Sequence, residues 1–288
     1  MAMNEAVPRL ACFELWGGNT RTNHAVELPG LVGWVHSDPL EPDGATIDGA
    51  AGRLAGEPAD GGGDVHYFSV CSQGRVSRIA LADVAGHGGS ASGVAKRLRG
   101  VLQRHTDNWD QSALMRELND AFLAGSVDFQ YATAAVLGFY VETGELLFSN
   151  AGHPPGLWYR AQADTWHLLQ DSTPYAVEIA GLPLGIIPGT SYSQTAVRLG
   201  VGDLVILYTD GITEATDAVG NQLGSQGLVE IARSLPVGSP EETARALVAG
   251  VDAFRGPEPR QDDATVVVLR HVTEQAASVP AQEAVASL

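Results

Sequence analysis

The chain has 288 residues, of which 44% are hydrophobic and 18% are charged, a composition typical of a globular protein with ample apolar material for a core. Its formal net charge of -17, from 34 acidic and 17 basic residues, repels nucleic-acid phosphates and anionic membranes, so we expect no nucleic-acid partner and no membrane partner. The apolar runs are far shorter than the roughly 20 residues that a membrane-spanning helix needs.

The cysteines and the N-terminal sequence favour a cytoplasmic protein. Cys12 and Cys71 each lie in an apolar stretch, and we expect small buried hydrophobic side chains rather than a disulfide or a catalytic thiol. Residues 1–14 lack the basic region and apolar core of a signal peptide.

The first part of the chain predicts strands and one long loop. Aromatic and β-branched residues bounded by glycine and proline predict strands at 11–16 and 31–36. The composition of 38–63 changes to Pro, Gly, Asp and Ala, which predicts a mobile loop. Segments 65–71 and 76–83 then form a predicted hairpin.

A helical period follows this hairpin. After Gly89, the apolar residues Val94, Leu98 and Val101 recur at spacings of three and four, which predicts a helix. A second helix is predicted after Asp110, a residue type that caps helix N-termini.

The rest of the chain predicts more strands and a second pair of helices. One late helix is predicted at 225–235, and the next begins at Ser239, with Pro240 and Glu242 in its first turn. The tail at 272–288 is predicted to be disordered. Further strands are predicted at 131–141, 145–150, 157–159, 166–169, 194–199, 204–208 and 264–269.

These elements predict an α+β fold. Strands outnumber helices, and segments 132–141 and 204–208 are apolar on both faces, so the sheets must be covered on both sides. Short connections favour antiparallel pairing. We therefore predict one domain at 10–271, a four-layer α-β-β-α sandwich with two mainly antiparallel sheets flanked by helix pairs.

Four aspartates stand where strands end or where the chain turns. Asp64 follows two glycines, Asp83 and Asp210 follow apolar runs, and Asp262 precedes the last strand. Each alone is better explained as a turn residue than as a metal ligand. Together they would balance the charge of two divalent cations, which prefer oxygen ligands and promote displacement at phosphorus. The set favours a metal-dependent hydrolase.

Six segments in fixed order resemble a known family. They are similar to the PPM (type 2C) metal-dependent protein serine/threonine phosphatases, in the bacterial SpoIIE- and RsbU-like branch, and the resemblance runs from about residue 12 to residue 270. The six segments are 62–64 (GGD), 82–88 (ADVAGHG), 150–155 (NAGHPP), 181–185 (GLPLG), 208–215 (YTDGITEA) and 262–265 (DDAT).

The resemblance implies a set of metal ligands. Asp83 would bridge two ions, and Asp64, Asp210 and Asp262 would complete their shells together with the backbone carbonyl of Val84. The implied ions are Mn²⁺ or Mg²⁺, since the site offers oxygen and no thiolate or clustered imidazole.

Some neighbouring residues keep two interpretations. Asp262 is the preferred ligand because it begins the Asp-Asp-x-Thr pattern, whereas Asp263 would bond backbone or occupy a third-metal position. Gly86 would let the backbone approach the cations closely. His87 would either protonate the leaving oxygen or only hydrogen-bond a metal-bound water. His153 is interpreted as a structural turn residue.

The resemblance implies a phosphatase that acts on phosphoserine or phosphothreonine of a protein, through direct attack by a metal-bridging water. In this branch the phosphorylated protein substrate would be an anti-sigma-factor antagonist, and a regulatory partner or a homodimer would control the enzyme. The family's N-terminal phosphate-binding arginine has no clear match, and Arg9 and Arg21 are candidates by region alone. The alternatives are an inactive phosphoprotein-binding module and a small-molecule phosphoesterase.

Overall fold

A computed structural model describes residues 13–18, 21–40, 63–71, 74–85, 89–105, 110–125, 131–169 and 181–273. Within these ranges the strands are Phe13–Gly18 (β1), Thr22–Leu28 (β2), Leu31–Asp38 (β3), Asp64–Cys71 (β4), Val76–Val84 (β5), Ala132–Tyr140 (β6), Glu145–Ala151 (β7), Gly156–Arg160 (β8), Thr165–Leu169 (β9), Thr195–Arg198 (β10), Leu204–Tyr208 (β11) and Ala264–His271 (β12). The helices are Gly89–Arg104 (α1), Gln111–Gly125 (α2), Asp210–Thr213 (α3), Gly224–Ser234 (α4) and Pro240–Arg255 (α5).

The first sheet has the strand order β1-β4-β5-β6-β7-β10, and every neighbouring pair is antiparallel. In the β4-β5 pair, Asp64 lies opposite Asp83, and in the β5-β6 pair Asp83 lies opposite Thr133. The register therefore places two of the predicted site residues side by side at one end of this sheet.

The second sheet has the strand order β2-β3-β12-β11-β8-β9 and is also antiparallel throughout. Tyr208 at the end of β11 pairs with Val266 near the start of β12. Asp210, which follows β11, and Asp262, which precedes β12, therefore lie at the same end of this strand pair.

Three apolar clusters separate four layers and confirm the predicted α-β-β-α sandwich. Because side chains alternate along a strand, β4 directs Tyr67 toward the helices α1 and α2 and Phe68 toward the second sheet. The cluster under α1 and α2 includes Leu102 and Leu118, the cluster between the sheets includes Leu81 and Val267, and the cluster under α4 and α5 includes Leu228 and Leu247.

Local signals in the sequence fix the start of α5. The hydroxyl of Ser239 accepts a hydrogen bond from the Glu242 N–H at 3.2 Å, and the Glu242 carboxylate accepts one from the Ser239 N–H at 2.7 Å. Asp110 likewise accepts a hydrogen bond from the Ala113 N–H at 2.9 Å before α2. Both predicted helix starts are therefore confirmed.

Two elements were not predicted. The strand β2 reads Thr-Asn-His-Ala-Val-Glu-Leu, and only its second half, around Val26 and Leu28, buries apolar side chains. It becomes a strand because it pairs along β3 through a tight turn at Gly30, whose φ of 72° favours glycine. The four-residue helix α3 is too short to show a helical period.

Parts of several predictions lie outside the described residues. Of the predicted mobile loop at 38–63, Asp38 ends β3, residues 39, 40 and 63 are described, and 41–62 lie outside. The same holds for 274–288 of the predicted disordered tail, and the domain limits at 10–271 stay a prediction. Among the helices of the described residues, none combines the length and the hydropathy needed to cross a membrane.

We expect Ser239→Ala to lower the free energy of unfolding by about 1 kcal/mol, because the substitution leaves an N-terminal N–H of α5 without its acceptor. Urea denaturation measures this change. The matched control is Ser193→Ala, since Ser193 is exposed and lies outside the helices, and its effect should stay below about 0.5 kcal/mol. Equal effects of the two substitutions would contradict a specific capping contribution.

Candidate metal centre

Acidic side chains from both sheets lie at one end of the sandwich. Asp64 and Asp83 face each other across β4 and β5, while Asp210 follows β11 directly and Asp262 precedes β12. A direct hydrogen bond joins the two sheets here, because the hydroxyl of Thr209 donates to Asp64 Oδ2 at 2.8 Å. Carboxylates that are far apart in the sequence are thus brought to the same region.

Asp64 is the most deeply buried of these acids, with only 3% of its surface exposed. Burial raises the pKa of its carboxyl well above the ordinary value, and the charge of Asp83 raises that pKa further. Hydrogen bonds from the side chains of Thr265 and Thr209 act in the opposite direction, since they stabilise the ionised form. A buried carboxylate with neutral donors and an acidic neighbour favours a cation.

Mutual repulsion extends to the other acids. Burial, followed by the charges of Asp210 and Asp262, raises the pKa of Asp83 to about 7. Burial, followed by the charges of Asp262 and Glu214, raises the pKa of Asp210 to about 6. Asp83, Asp210 and Asp262 therefore lie within electrostatic range of one another, and Asp64 lies within range of Asp83.

The side chains do not form a closed ligand shell. Within the described ranges, no three Asp, Glu, His or Cys side chains already stand in a geometry that could hold an ion. The structure brings the four predicted carboxylates to one region of the fold, and their assignment as ligands stays a prediction.

The backbone at Gly63 fits the oxygen ligands that the sequence predicts. A Cβ atom at this position would lie 2.4 Å from the carbonyl oxygen of Val84 and 2.5 Å from Asp83 Oδ1, so only glycine allows this approach. The Val84 N–H also donates to the Gly63 carbonyl at 3.0 Å. The predicted donors are carboxylate and carbonyl oxygens, which suit Mg²⁺ or Mn²⁺.

The two adjacent aspartates differ in environment. Asp263 is buried, and its two oxygens accept hydrogen bonds from the N–H groups of Leu40 at 2.7 Å and Gly63 at 2.8 Å. Asp262 is exposed, and its charge raises the pKa of both Asp83 and Asp210. This difference supports Asp262 as the ligand and a backbone-bonding role for Asp263.

Of the two histidines with a predicted role, the structure describes His153 but not His87. Residues 86–88, which include Gly86 and His87, lie outside the described residues, so their roles stay predictions. His153 is buried, and its Nδ1 lies 2.8 Å from the hydroxyl of Thr133. Burial lowers the pKa of His153 to about 3, so the ring is neutral near pH 7, which agrees with a structural role.

Arg21, a candidate for the phosphate-binding arginine, and a second arginine, Arg260, share one carboxylate. Arg21 forms an ion pair with Asp38 at 2.8 Å, and Arg260 forms another with the same carboxylate at 2.7 Å. Arg9 lies outside the described residues. The carboxylate of Asp38 therefore engages both of these cations.

Sequence reasoning missed three polar residues of this region. Thr209 and Thr265 bond the buried Asp64, and Glu214 lines a cavity of about 170 Å³ together with Asp262 and Arg260. Each of the three lies inside a segment that was selected for its aspartate. The signal was present in the sequence, but its meaning depends on contacts between the two sheets.

Comparison with known proteins places the chain in a family. A family model described as Stage II sporulation protein E (SpoIIE) matches residues 73–272. The phosphoserine phosphatase RsbP of Bacillus subtilis is 28% identical over 159 residues, which cover 54% of this chain and 37% of that protein. The chain spans less than half of the length of such curated relatives.

Solved structures of low sequence identity share the fold. The RsbU and RsbW domains of a Mycobacterium tuberculosis protein align with a TM-score of 0.63 and 22% identity, covering 89% of this chain and 63% of that one. The catalytic domain of the serine threonine protein phosphatase PstP, in complex with 2 manganese ions, aligns with a TM-score of 0.53 and 18% identity, covering 84% of this chain and 98% of that one. The predicted resemblance is confirmed, and the chain belongs to the family described as Stage II sporulation protein E (SpoIIE).

Proposed function

We propose that this chain is a metal-dependent protein phosphatase that hydrolyses phosphoserine or phosphothreonine on a protein substrate. The observation that carries the proposal is the meeting of carboxylates from both sheets at one end of the sandwich, in a chain of the SpoIIE family. The cofactor is two ions of Mn²⁺ or Mg²⁺, and the two manganese ions of the related fold in PstP support this choice.

Each proposed ligand has a defined position in the fold. Asp83 lies opposite Asp64 in the β4-β5 pair and within electrostatic range of Asp210 and Asp262, so it would help to hold both ions. The carbonyl of Val84 adds a neutral oxygen next to Asp83. When bound, the two cations lower the pKa of a water molecule and offset negative charge at phosphorus.

The surrounding residues position these ligands. The Asp263 carboxylate accepts a hydrogen bond from the Gly63 N–H. The Gly63 carbonyl in turn accepts a hydrogen bond from the Val84 N–H. The first contact ties the start of β4 to the segment before β12, and the second ties it to the end of β5, so both fix the region where the proposed ligands Asp64 and Asp83 lie. His87 and Gly86 keep their predicted roles beside them.

The substrate that we propose is a phosphorylated anti-sigma-factor antagonist. RsbP is named a phosphoserine phosphatase, and a solved relative carries an RsbU and an RsbW domain, which supports a partner-switching role. Control through a regulatory partner or a homodimer belongs to the same proposal. The alternative of an inactive phosphoprotein-binding module predicts the loss of at least one ligand carboxylate. All four proposed carboxylates are present, which favours the enzyme.

Asp83→Asn should abolish the Mn²⁺-dependent hydrolysis of a phosphoserine peptide and leave the fold intact, because the bridging carboxylate is lost. Phosphate release measures activity, and circular dichroism checks the fold. Asp164→Asn is the matched control, since Asp164 lies in the turn between β8 and β9 at the opposite end of the second sheet. Unchanged activity of Asp83→Asn would reject the assignment.

In metal-free protein, Asp83→Asn should increase stability, and the increase should depend on pH. The folded protein holds the Asp83 proton up to about pH 7, whereas the unfolded chain releases it near 3.8, so wild-type stability falls as pH rises between these values. The variant should therefore gain on the order of 1–4 kcal/mol above pH 7 and little below pH 4. Urea denaturation in chelator across this range measures the gain, and a pH-independent difference would contradict the repulsion.

Asp262→Asn and Asp263→Asn should have different effects. Asp262→Asn should weaken Mn²⁺ binding, measured by calorimetry, with little loss of stability, since Asp262 is exposed. Asp263→Asn should destabilise the protein by about 1–3 kcal/mol. Both oxygens of the Asp263 carboxylate accept hydrogen bonds from N–H groups, whereas the NH₂ group of an amide cannot accept one. The Mn²⁺ affinity of Asp263→Asn should fall less than that of Asp262→Asn, and the reverse order would identify Asp263 as the ligand.

A further inference from the structure

The hydroxyl of Thr209 has a fixed direction. Its oxygen accepts a hydrogen bond from the Thr265 N–H at 2.9 Å and lies 2.8 Å from Asp64 Oδ2. Because a backbone N–H is only a donor, the Thr209 oxygen must act as the acceptor in the first contact. An ionised Asp64 carboxylate can only accept, so Thr209 donates its single proton to Asp64.

The position of Thr209 is itself held by the second sheet. Its N–H donates to the carbonyl of Thr265 at 3.0 Å, so backbone bonds in both directions tie Thr209 to β12. The hydroxyls of Thr265 and Ser37 lie 3.0 Å apart and extend the cluster to β3. Exposure is 0% for Thr209, 1% for Thr265 and 2% for Ser37, so water does not compete for these bonds.

Asp64 belongs to the other sheet, and the Thr209 hydroxyl crosses the sandwich to reach it. A buried carboxylate that accepts a hydrogen bond at one oxygen loses the freedom to rotate about its side-chain torsions. In metal sites, such contacts to a ligand orient it, and their removal typically costs about 10- to 100-fold in metal affinity.

We propose that Thr209 is a positioning residue, which holds the Asp64 carboxylate in the orientation that binds a divalent cation. The proposal rests on the proposed function, since it requires that Asp64 is a metal ligand. Thr209 does not touch the reacting atoms, and its effect on activity passes through Asp64. The short segment 209–211 of the second sheet would thus have two roles. Asp210 is itself a proposed ligand, and Thr209 orients the proposed ligand Asp64 of the first sheet.

The test is calorimetric titration of Mn²⁺ into metal-free wild-type protein, Thr209→Val and Thr209→Ser. Valine keeps the branched shape and removes the hydroxyl, so we expect Mn²⁺ affinity to fall about 10- to 100-fold. Serine keeps the hydroxyl, so its affinity should stay within about threefold of wild type. If Thr209→Val does not fold, Thr209→Cys replaces it with the same expected loss, because a thiol is a weak donor.

Thr243→Val is the matched control. Thr243 is also buried, with 4% exposed, and its hydroxyl donates to the Gly238 carbonyl near the end of β12 that is remote from the acids. It should lose one hydrogen bond and keep wild-type Mn²⁺ affinity.

The outcomes separate this proposal from the proposed function. Wild-type affinity in Thr209→Val, an equal loss in Thr243→Val, or no recovery in Thr209→Ser would each overturn the positioning role while the metal-dependent phosphatase stands. A wild-type protein that binds no Mn²⁺ would overturn both. Loss in Thr209→Val alone, with recovery in Thr209→Ser, supports the proposal.

Discussion

Four carboxylates from two sheets share one end of the sandwich, and their mutual repulsion is the constraint to which the neighbouring structure is adapted. The pKa of Asp83 rises to about 7 and that of Asp210 to about 6, against an ordinary 3.8, and each pKa unit corresponds to about 1.4 kcal/mol. Ionising these groups at neutral pH therefore opposes folding. The three apolar clusters and the strand pairing offset that cost, and a bound cation would remove its cause.

The contacts that fix this region connect the two sheets rather than neighbours in sequence. Thr209 bonds Asp64 across a separation of 145 residues, and Asp263 bonds Gly63 across 200. The acids are therefore in place only when both sheets have formed and packed against each other. A cation that binds them stabilises the whole folded domain, because the unfolded chain offers no comparable site.

The sequence predicted the parts of the fold that have local signals. The strand Leu204–Tyr208 is continuously apolar and was predicted with its correct limits, and the capping residues of α5 predicted the start of that helix. The strand β2 was missed because polar residues interrupt its alternation and its pairing with β3 decides its structure. The site was predicted as a set of aspartates, but the donors to Asp64 and the backbone contacts of Asp263 depend on packing across the sandwich, for which no periodic pattern exists.

The balance of charge at this end of the molecule links substrate binding to metal binding. Among the described residues, Arg260 lines the cavity next to Asp262, yet its guanidinium donates to the carbonyl and the carboxylate of Asp38, which also pairs with Arg21. A phosphoryl group that approaches these acids meets like charge, and the net charge of -17 adds to the repulsion. In the proposed reaction, the four ligand carboxylates would hold cations whose charge offsets this repulsion, so the loss of one of these carboxylates would weaken both substrate binding and hydrolysis.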